Sequence, residues 1–214
     1  MSALMSGLFR KLPSFTPLIY GGRVVVRMPG APRSLFLTFD DGPHPDATPQ
    51  VLEILQKYKV KATFFILGKN VESHPGFVQK LKEEGHSIGN HTYSHLNGWK
   101  TPSSAYYADI ARCQSLVSAR LFRPPYGRIL PGQARHLSRQ FSIILWTLLS
   151  QDFITDLSPE YVFRQLVAVH FRGGEIIVFH DSAKASPRML YALPRFVEVM
   201  LEKGFTFEPI AREH

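Results

Sequence analysis

Short runs rich in β-branched and aromatic residues alternate with helical stretches from Ser34 onward, and no other feature limits the fold as much. The unit recurs about every 25–35 residues, the length a parallel strand pair needs for its crossover helix. Strands are expected at 34–39, 62–66, 87–89, 121–123, 142–146, 175–179 and 205–208. Between them, helices are expected at 48–58, 76–84, 105–120, 132–139, 159–171 and 187–203. Val51, Leu52, Leu55 and Tyr58 share one face of the first helix. Gly85 ends the second, and Ser158 followed by Pro159 is an N-cap and first-turn pair for the fifth. Seven strands in one chain suit a closed sheet better than an open one. The expected fold is α/β, a distorted or incomplete (β/α) barrel of about seven parallel strands in a single domain. Residues 34–214 form that domain, and residues 1–33 form an N-terminal extension that packs on the barrel or is partly loose.

The 214 residues, 44% of them hydrophobic, are enough for a large core without disulfides, and the lone Cys113 cannot form an internal one. A chain of this size buries roughly 70% of its unfolded surface. Its apolar runs, such as 64–67 and 176–179, fall far short of the roughly 20 residues that cross a bilayer. Pro13, Pro17, Gly21 and Gly22 interrupt the first 27 residues, so the apolar core of a signal peptide is not expected. The expected location is cytoplasmic or peripheral to a membrane. The formal net charge of +8 comes from scattered Lys and Arg with no zinc-finger or RNA-recognition signature, which reads as a solvated basic surface and not as a nucleic-acid site. A glycine-rich phosphate loop is also missing after every expected strand.

In a barrel the active site lies at the C-terminal ends of the strands, and polar residues gather there. Asp40-Asp41-Gly42-Pro43 follows the first strand, Asn90-His91-Thr92-Tyr93-Ser94-His95 the third and Arg123-Pro124-Pro125-Tyr126 the fourth. Trp146 and then Asp152 follow the fifth, and His180-Asp181 the sixth. Two adjacent carboxylates repel unless a cation separates their roles. His91 and His95, four apart and expected to share one face of a helical turn, complete with one carboxylate a three-ligand metal site open to water and substrate. With Asp41 on the metal, Asp40 is left as the base for an attacking water. Arg123 can hold Asp40 ionised, and His180, paired with Asp152, can act as the acid for a leaving amine.

These motifs resemble the polysaccharide deacetylase family, also called carbohydrate esterase family 4 or the NodB homology domain. Thr38-Phe39-Asp40-Asp41-Gly42-Pro43 resembles the family's first motif, His91-Thr92-Tyr93-Ser94-His95 the second, Arg123-Pro124-Pro125-Tyr126 the third and Val178-Phe179-His180 the fifth. The resemblance extends from about Ser34 to Phe207. It implies Asp40 as catalytic base and His180 as catalytic acid, with Asp41, His91 and His95 holding one divalent metal ion, zinc first, cobalt or nickel as alternatives. It further implies that Arg123 tethers Asp40, that Asp152 tunes His180 and that the Tyr126 backbone N–H meets the oxyanion. Pro124, Tyr126, Trp146, Phe153 and Val178 would border the substrate, with Trp146 either at the acetyl pocket or in the core.

The expected activity is metal-dependent removal of N-acetyl groups from N-acetylglucosamine-containing glycans of the peptidoglycan or chitin type. An O-acetyl esterase, a non-sugar amidohydrolase or a catalytically weak glycan-binding relative are the alternatives. The fourth motif departs from the family pattern, with Leu149 and Phe153 where an acid and a tryptophan are usual. That departure bears on the substrate groove more than on the chemistry.

Overall fold

A computed structural model describes residues 11–211 of the protein. Its elements, in chain order, are α1 (Thr16–Ile19), β1 (Val24–Val25), β2 (Ser34–Asp40), α2 (Ala47–Lys57), β3 (Thr63–Ile66), α3 (Gly68–Ser73), α4 (Gly76–Glu83) and β4 (Ser87–Asn90). Then come α5 (Ser103–Val117), β5 (Leu121–Phe122), α6 (Pro131–Leu137), β6 (Ser142–Ile144), β7 (Leu148–Leu149), α7 (Pro159–Val167), β8 (Ile176–His180), α8 (Ser186–Glu202) and β9 (Thr206–Phe207).

The sheet runs β1-β6-β5-β4-β3-β2-β8-β7, every pair parallel, with β9 added to the start of β2. Only residues 145–147 separate β6 from β7, so one extended segment joins the two flanks of this path. Leu145 N–H donates to Val25 O at 2.8 Å, and Thr147 N–H donates to Ile176 O at 3.0 Å. That change of partner curls the sheet into the expected distorted barrel. Among the described residues, no helix is long and apolar enough to cross a membrane.

Strand alternation divides the core in two. On β2 and β8, Leu35, Leu37, Phe39, Ile177 and Phe179 point outward and pack under the helices, against residues such as Val51 and Leu55 of α2 and Leu193 and Phe196 of α8. Phe36, Ile176 and Val178 point inward and fill the barrel with Phe65, Leu121, Ile144 and Trp146. The same alternation puts Thr38, Asp40 and His180 on the inner face, at the end where the chain leaves the sheet.

Most expected elements form within a few residues of the expected bounds. The fifth expected strand ends early, at Ile144, and β7 follows as a two-residue strand too short to leave a periodic pattern. β1 lies in the region expected to be an extension and pairs with β6. The helix expected to reach residue 171 stops at Val167. Helix α5 closes on Ser118 at φ 50°, a left-handed C-cap that glycine occupies at lower cost. Ser118→Gly is expected to raise unfolding stability by about 0.5–1 kcal/mol in a denaturant titration, with the circular dichroism spectrum unchanged.

Candidate active site

Asp40 closes β2 and His180 closes β8, and the two are register partners across parallel strands. Equal register on one inner face brings an acid and an imidazole from opposite ends of the sequence to the same opening. Asp40 is almost fully buried, and its Oδ1 accepts a 2.7 Å hydrogen bond from Arg123 Nη1. Arg123 is itself fully buried just beyond β5. Nη1 also donates to Thr38 Oγ1 (2.8 Å), Nε to Ile144 O (3.2 Å) and Nη2 to Leu145 O (3.0 Å), while the guanidinium lies over the Phe65 ring. A buried cation so fully paired fixes the carboxylate's orientation. It leaves Asp40 Oδ2 on the side of the imidazoles, 4.0 Å from His91 Nε2.

Asp41 sits in the left-handed region at φ 76°, which turns its carboxylate away from the strand direction. Its Oδ1 lies 3.2 Å from His95 Nε2 and 3.7 Å from His91 Nε2. That oxygen is buried and accepts no hydrogen bond of good geometry, an uncommon condition for a carboxylate oxygen. One ligand atom from each of Asp41, His91 and His95 lies within 4.8 Å of the others, so the trio could hold a metal ion. The donor set is that of a three-ligand divalent site with open positions. His91 Nδ1–H is directed at Arg123 O (2.8 Å), which leaves Nε2 as the free nitrogen. Burial pushes His91 down to about 4 against the pull of Asp40, so its ring is neutral at pH 7, as a ligand must be. For Asp41, burial opposes ionisation, but His95, His180 and His91 together hold the carboxyl far below the usual range.

His91 and His95 do not share a helical turn. The segment between them is irregular, with left-handed residues at Thr92 (φ 68°) and His95 (φ 63°). The expected helical spacing is thus corrected: two left-handed turns, not a 3.6-residue repeat, bring the rings together. Asn90 Oδ1 accepts from Thr92 N–H (2.8 Å), and Asp109 Oδ2 accepts from Tyr93 N–H (2.8 Å) and Ser94 N–H (3.0 Å). These two side chains satisfy the backbone of the ligand loop.

His180 Nδ1 meets Asp152 Oδ1 at 2.8 Å, and Asp152 Oδ2 accepts the His180 backbone N–H at 2.8 Å. Burial disfavours the imidazolium, yet the carboxylates of Asp152, Asp41 and Asp40 outweigh it and push His180 up to about 9. Phe153 stands edge-on to the His180 ring at 4.8 Å between centroids, and Arg188 Nε holds the Asp152 carbonyl at 2.5 Å. Another buried carboxyl, Asp181, receives Thr48 Oγ1–H at 2.6 Å and is pushed up to about 8 by burial. It packs so closely on Gly42 that a Cβ there would come within 2.1 Å of Asp181 Oδ2, which explains a glycine directly after Asp41.

These groups open onto a cavity of about 510 Å³ bordered by Asp40, Asp41, His91, His95 and His180, and further by Tyr126, Trp146, Leu149 and Phe153. Trp146 is buried and also borders the cavity. It crowds Gly127, where a Cβ would fall 2.6 Å from Trp146 Cη2. Arg123 and Asp152 lie behind this wall, in contact with Asp40 and His180. Val178 is not part of the wall: it is fully buried in the barrel interior, because strand alternation puts its side chain beneath His180. Nor does Pro124 border the cavity. Its carbonyl closes the turn over Pro125–Gly127, accepting Gly127 N–H at 3.0 Å. Arg128 N–H closes the same turn onto Pro125 O, and neither bond uses the Tyr126 N–H. Tyr126 is left-handed at φ 61°, with Oη 3.2 Å from His95 Nδ1.

Leu12, Thr16, Tyr20, Trp99, Arg128 and Lys184 also border the cavity and were not expected there. Their positions follow from loop paths and from the packing of α1, which leave no local sequence signal. Asp109 carries a weak one, as an acid on the helix that follows the ligand loop.

The model of the family described as polysaccharide deacetylase matches residues 27–141. A peptidoglycan-N-acetylglucosamine deacetylase of Bacillus cereus is 34% identical over 178 residues, covering 80% of this chain and 64% of the relative. Thus the chain spans less than two thirds of that protein. A second B. cereus protein of the same name is 30% identical over 198 residues, covering 89% of this chain and 92% of the relative. The crystal structure of the Bc1960 peptidoglycan N-acetylglucosamine deacetylase superposes with a TM-score of 0.85 at 30% identity, covering 93% of this chain and 95% of that one. The chain belongs to the polysaccharide deacetylase family.

Removing Arg123 strands a buried carboxylate. Arg123→Met is expected to lower unfolding stability by about 3–5 kcal/mol in denaturant at pH 7. His180, raised above its unfolded value of 6.5, stabilises the folded state fully below about pH 6.5, and this contribution fades as pH rises through about 9. In metal-free protein, Asp152→Asn should remove most of that loss, about 3 kcal/mol at full size, from a stability profile measured between pH 6 and 10.

Proposed function

We propose that this protein is a metal-dependent hydrolase that removes the N-acetyl group from N-acetylglucosamine units of a peptidoglycan- or chitooligosaccharide-type glycan. One observation carries the reading: an Arg-held carboxylate, Asp40, and an Asp-held imidazolium, His180, open onto the same cavity as the unbonded oxygen of Asp41 and two imidazoles. The names of the relatives support it, each a peptidoglycan deacetylase.

Asp41, His91 and His95 would hold the divalent ion, with zinc expected first and cobalt or nickel able to replace it. When bound, the ion supplies Lewis acidity that acidifies a water and polarises the acetyl carbonyl. The chain's own groups do the rest. Asp40 accepts the proton of the attacking water on Oδ2, because Oδ1 is committed to Arg123. The Tyr126 N–H, outside its own turn's hydrogen bonds, would meet the developing oxyanion. His180 gives the proton on Nε2 to the leaving sugar nitrogen, while Nδ1–H stays on Asp152 through the step. Acetate and the free amine leave, and Asp40 and His180 regain their starting protonation by exchange with solvent. Trp146 and Leu149 form an apolar wall suited to the acetyl methyl, and Phe153 keeps the His180 ring in line.

Acetate release from N-acetylglucosamine oligomers should vanish on chelation and return with zinc, cobalt or nickel. Asp40→Asn should retain metal and lose about 10²–10⁴-fold in acetate release, whereas Asp41→Ala should lose metal itself. Equal metal loss in both variants would contradict these roles. The rate should fall on the alkaline side, at or below about pH 9, as His180 loses its proton, and Asp152→Asn should move that limb to lower pH. An amide and ester panel separates N-deacetylation from O-deacetylation.

A further inference from the structure

The 39 residues before Asp40 hold five basic residues, Arg10, Lys11, Arg23, Arg27 and Arg33, and not one Asp or Glu. Within this segment α1 has two unlike sides. Leu12, Thr16 and Tyr20 turn toward the catalytic cavity, whereas Phe15, Leu18 and Ile19 stand 56%, 79% and 59% exposed. Adjacent leucine, isoleucine and phenylalanine side chains so far in water are costly unless another surface takes them up.

Exposed apolar groups also stand on a second loop at this edge of the cavity. Tyr20 Oη–H and Trp99 Nε1–H both donate to the Ile129 carbonyl, at 3.2 and 3.0 Å, which draws α1, Trp99 and Leu130 to one edge of the cavity. Trp99 is 54% exposed and Leu130 42%. Lys11, Arg23 and Lys100 are exposed beside these groups, and Arg128 lies 5.3 Å over the Trp99 ring. An amphipathic edge with aliphatic tips, an indole at their margin and only positive charge in its segment matches an anionic lipid bilayer. Acyl chains take up the aliphatic groups, the headgroup region takes Trp, and phosphates take Lys and Arg.

We propose that α1 and the Trp99–Leu130 edge form a docking surface for an anionic membrane, which would set the mouth of the cavity beside the bilayer. Phe15, Leu18 and Ile19 do not border the cavity, so a test that changes them reads binding alone. The full chain is sedimented with vesicles of phosphatidylglycerol and phosphatidylcholine and, in parallel, with phosphatidylcholine alone. The expected result is co-sedimentation with the anionic vesicles that weakens as salt rises. The triple variant Phe15→Ser/Leu18→Ser/Ile19→Ser, changed only at exposed positions, should partition about tenfold or more weakly, with an unchanged circular dichroism melt. Wild-type protein left in the supernatant with anionic vesicles, or a triple variant that binds as tightly as wild type, would overturn the proposal. So would equal binding to neutral vesicles, or a wild-type dimer in sedimentation velocity that the triple variant dissolves, which would assign the patch to a second copy.

Discussion

The arrangement depends on one guanidinium inside the barrel. Arg123 reaches across the interior and ties β2, through Thr38 and Asp40, to the carbonyls of residues 144 and 145, with its face on Phe65 of β3. Burying a charge costs several kcal/mol, and only dense pairing offsets this. The pairing has a direction as well as an energy. It commits one oxygen of Asp40 and presents the other to the imidazoles, so the carboxylate is oriented before any substrate arrives. The His180–Asp152 pair mirrors it with signs reversed, a buried carboxylate holding an imidazolium.

Backbone strain is concentrated around the same opening. Asp41, Thr92, His95, Tyr126 and Gln151 are all left-handed without being glycine, and each is a site residue or the neighbour of one. Such conformations cost about 1–3 kcal/mol each and persist only where surroundings over-determine them. Here the supports are visible: Asn70 Nδ2–H on the Asp41 carbonyl at 2.7 Å, and Asn90 and Asp109 on the ligand loop. Stability contributed by the two cores is in effect used to hold the site's loops in place.

Much of this was legible beforehand because strand order and strand alternation are properties of local sequence. Asp40-Asp41 directly after Ser34–Phe39, and the polar residues after the later strands, already converge on one mouth once the strands are set in a barrel. The errors arose where local pattern ceases to decide. A four-residue spacing suggests a helix, but Asn90 and Asp109, distant from each other in sequence, stabilise a different backbone at His91–His95. Val178 follows from its motif but not from its burial, and β7 is too short for any period to appear.

The sequence by itself determined the alternating βα plan and the polar residues that follow the strands, among them the candidate acid, base and metal-ligand groups, since these rest on residue type and short-range periodicity. Only the tertiary structure decided which oxygen of Asp40 is free, that Asp41 carries an unbonded buried oxygen, that Asp181 backs Gly42, and that α1 borders the cavity. Each of these depends on groups brought together from far apart along the chain, and such meetings are set by packing and sheet closure, for which no local pattern exists.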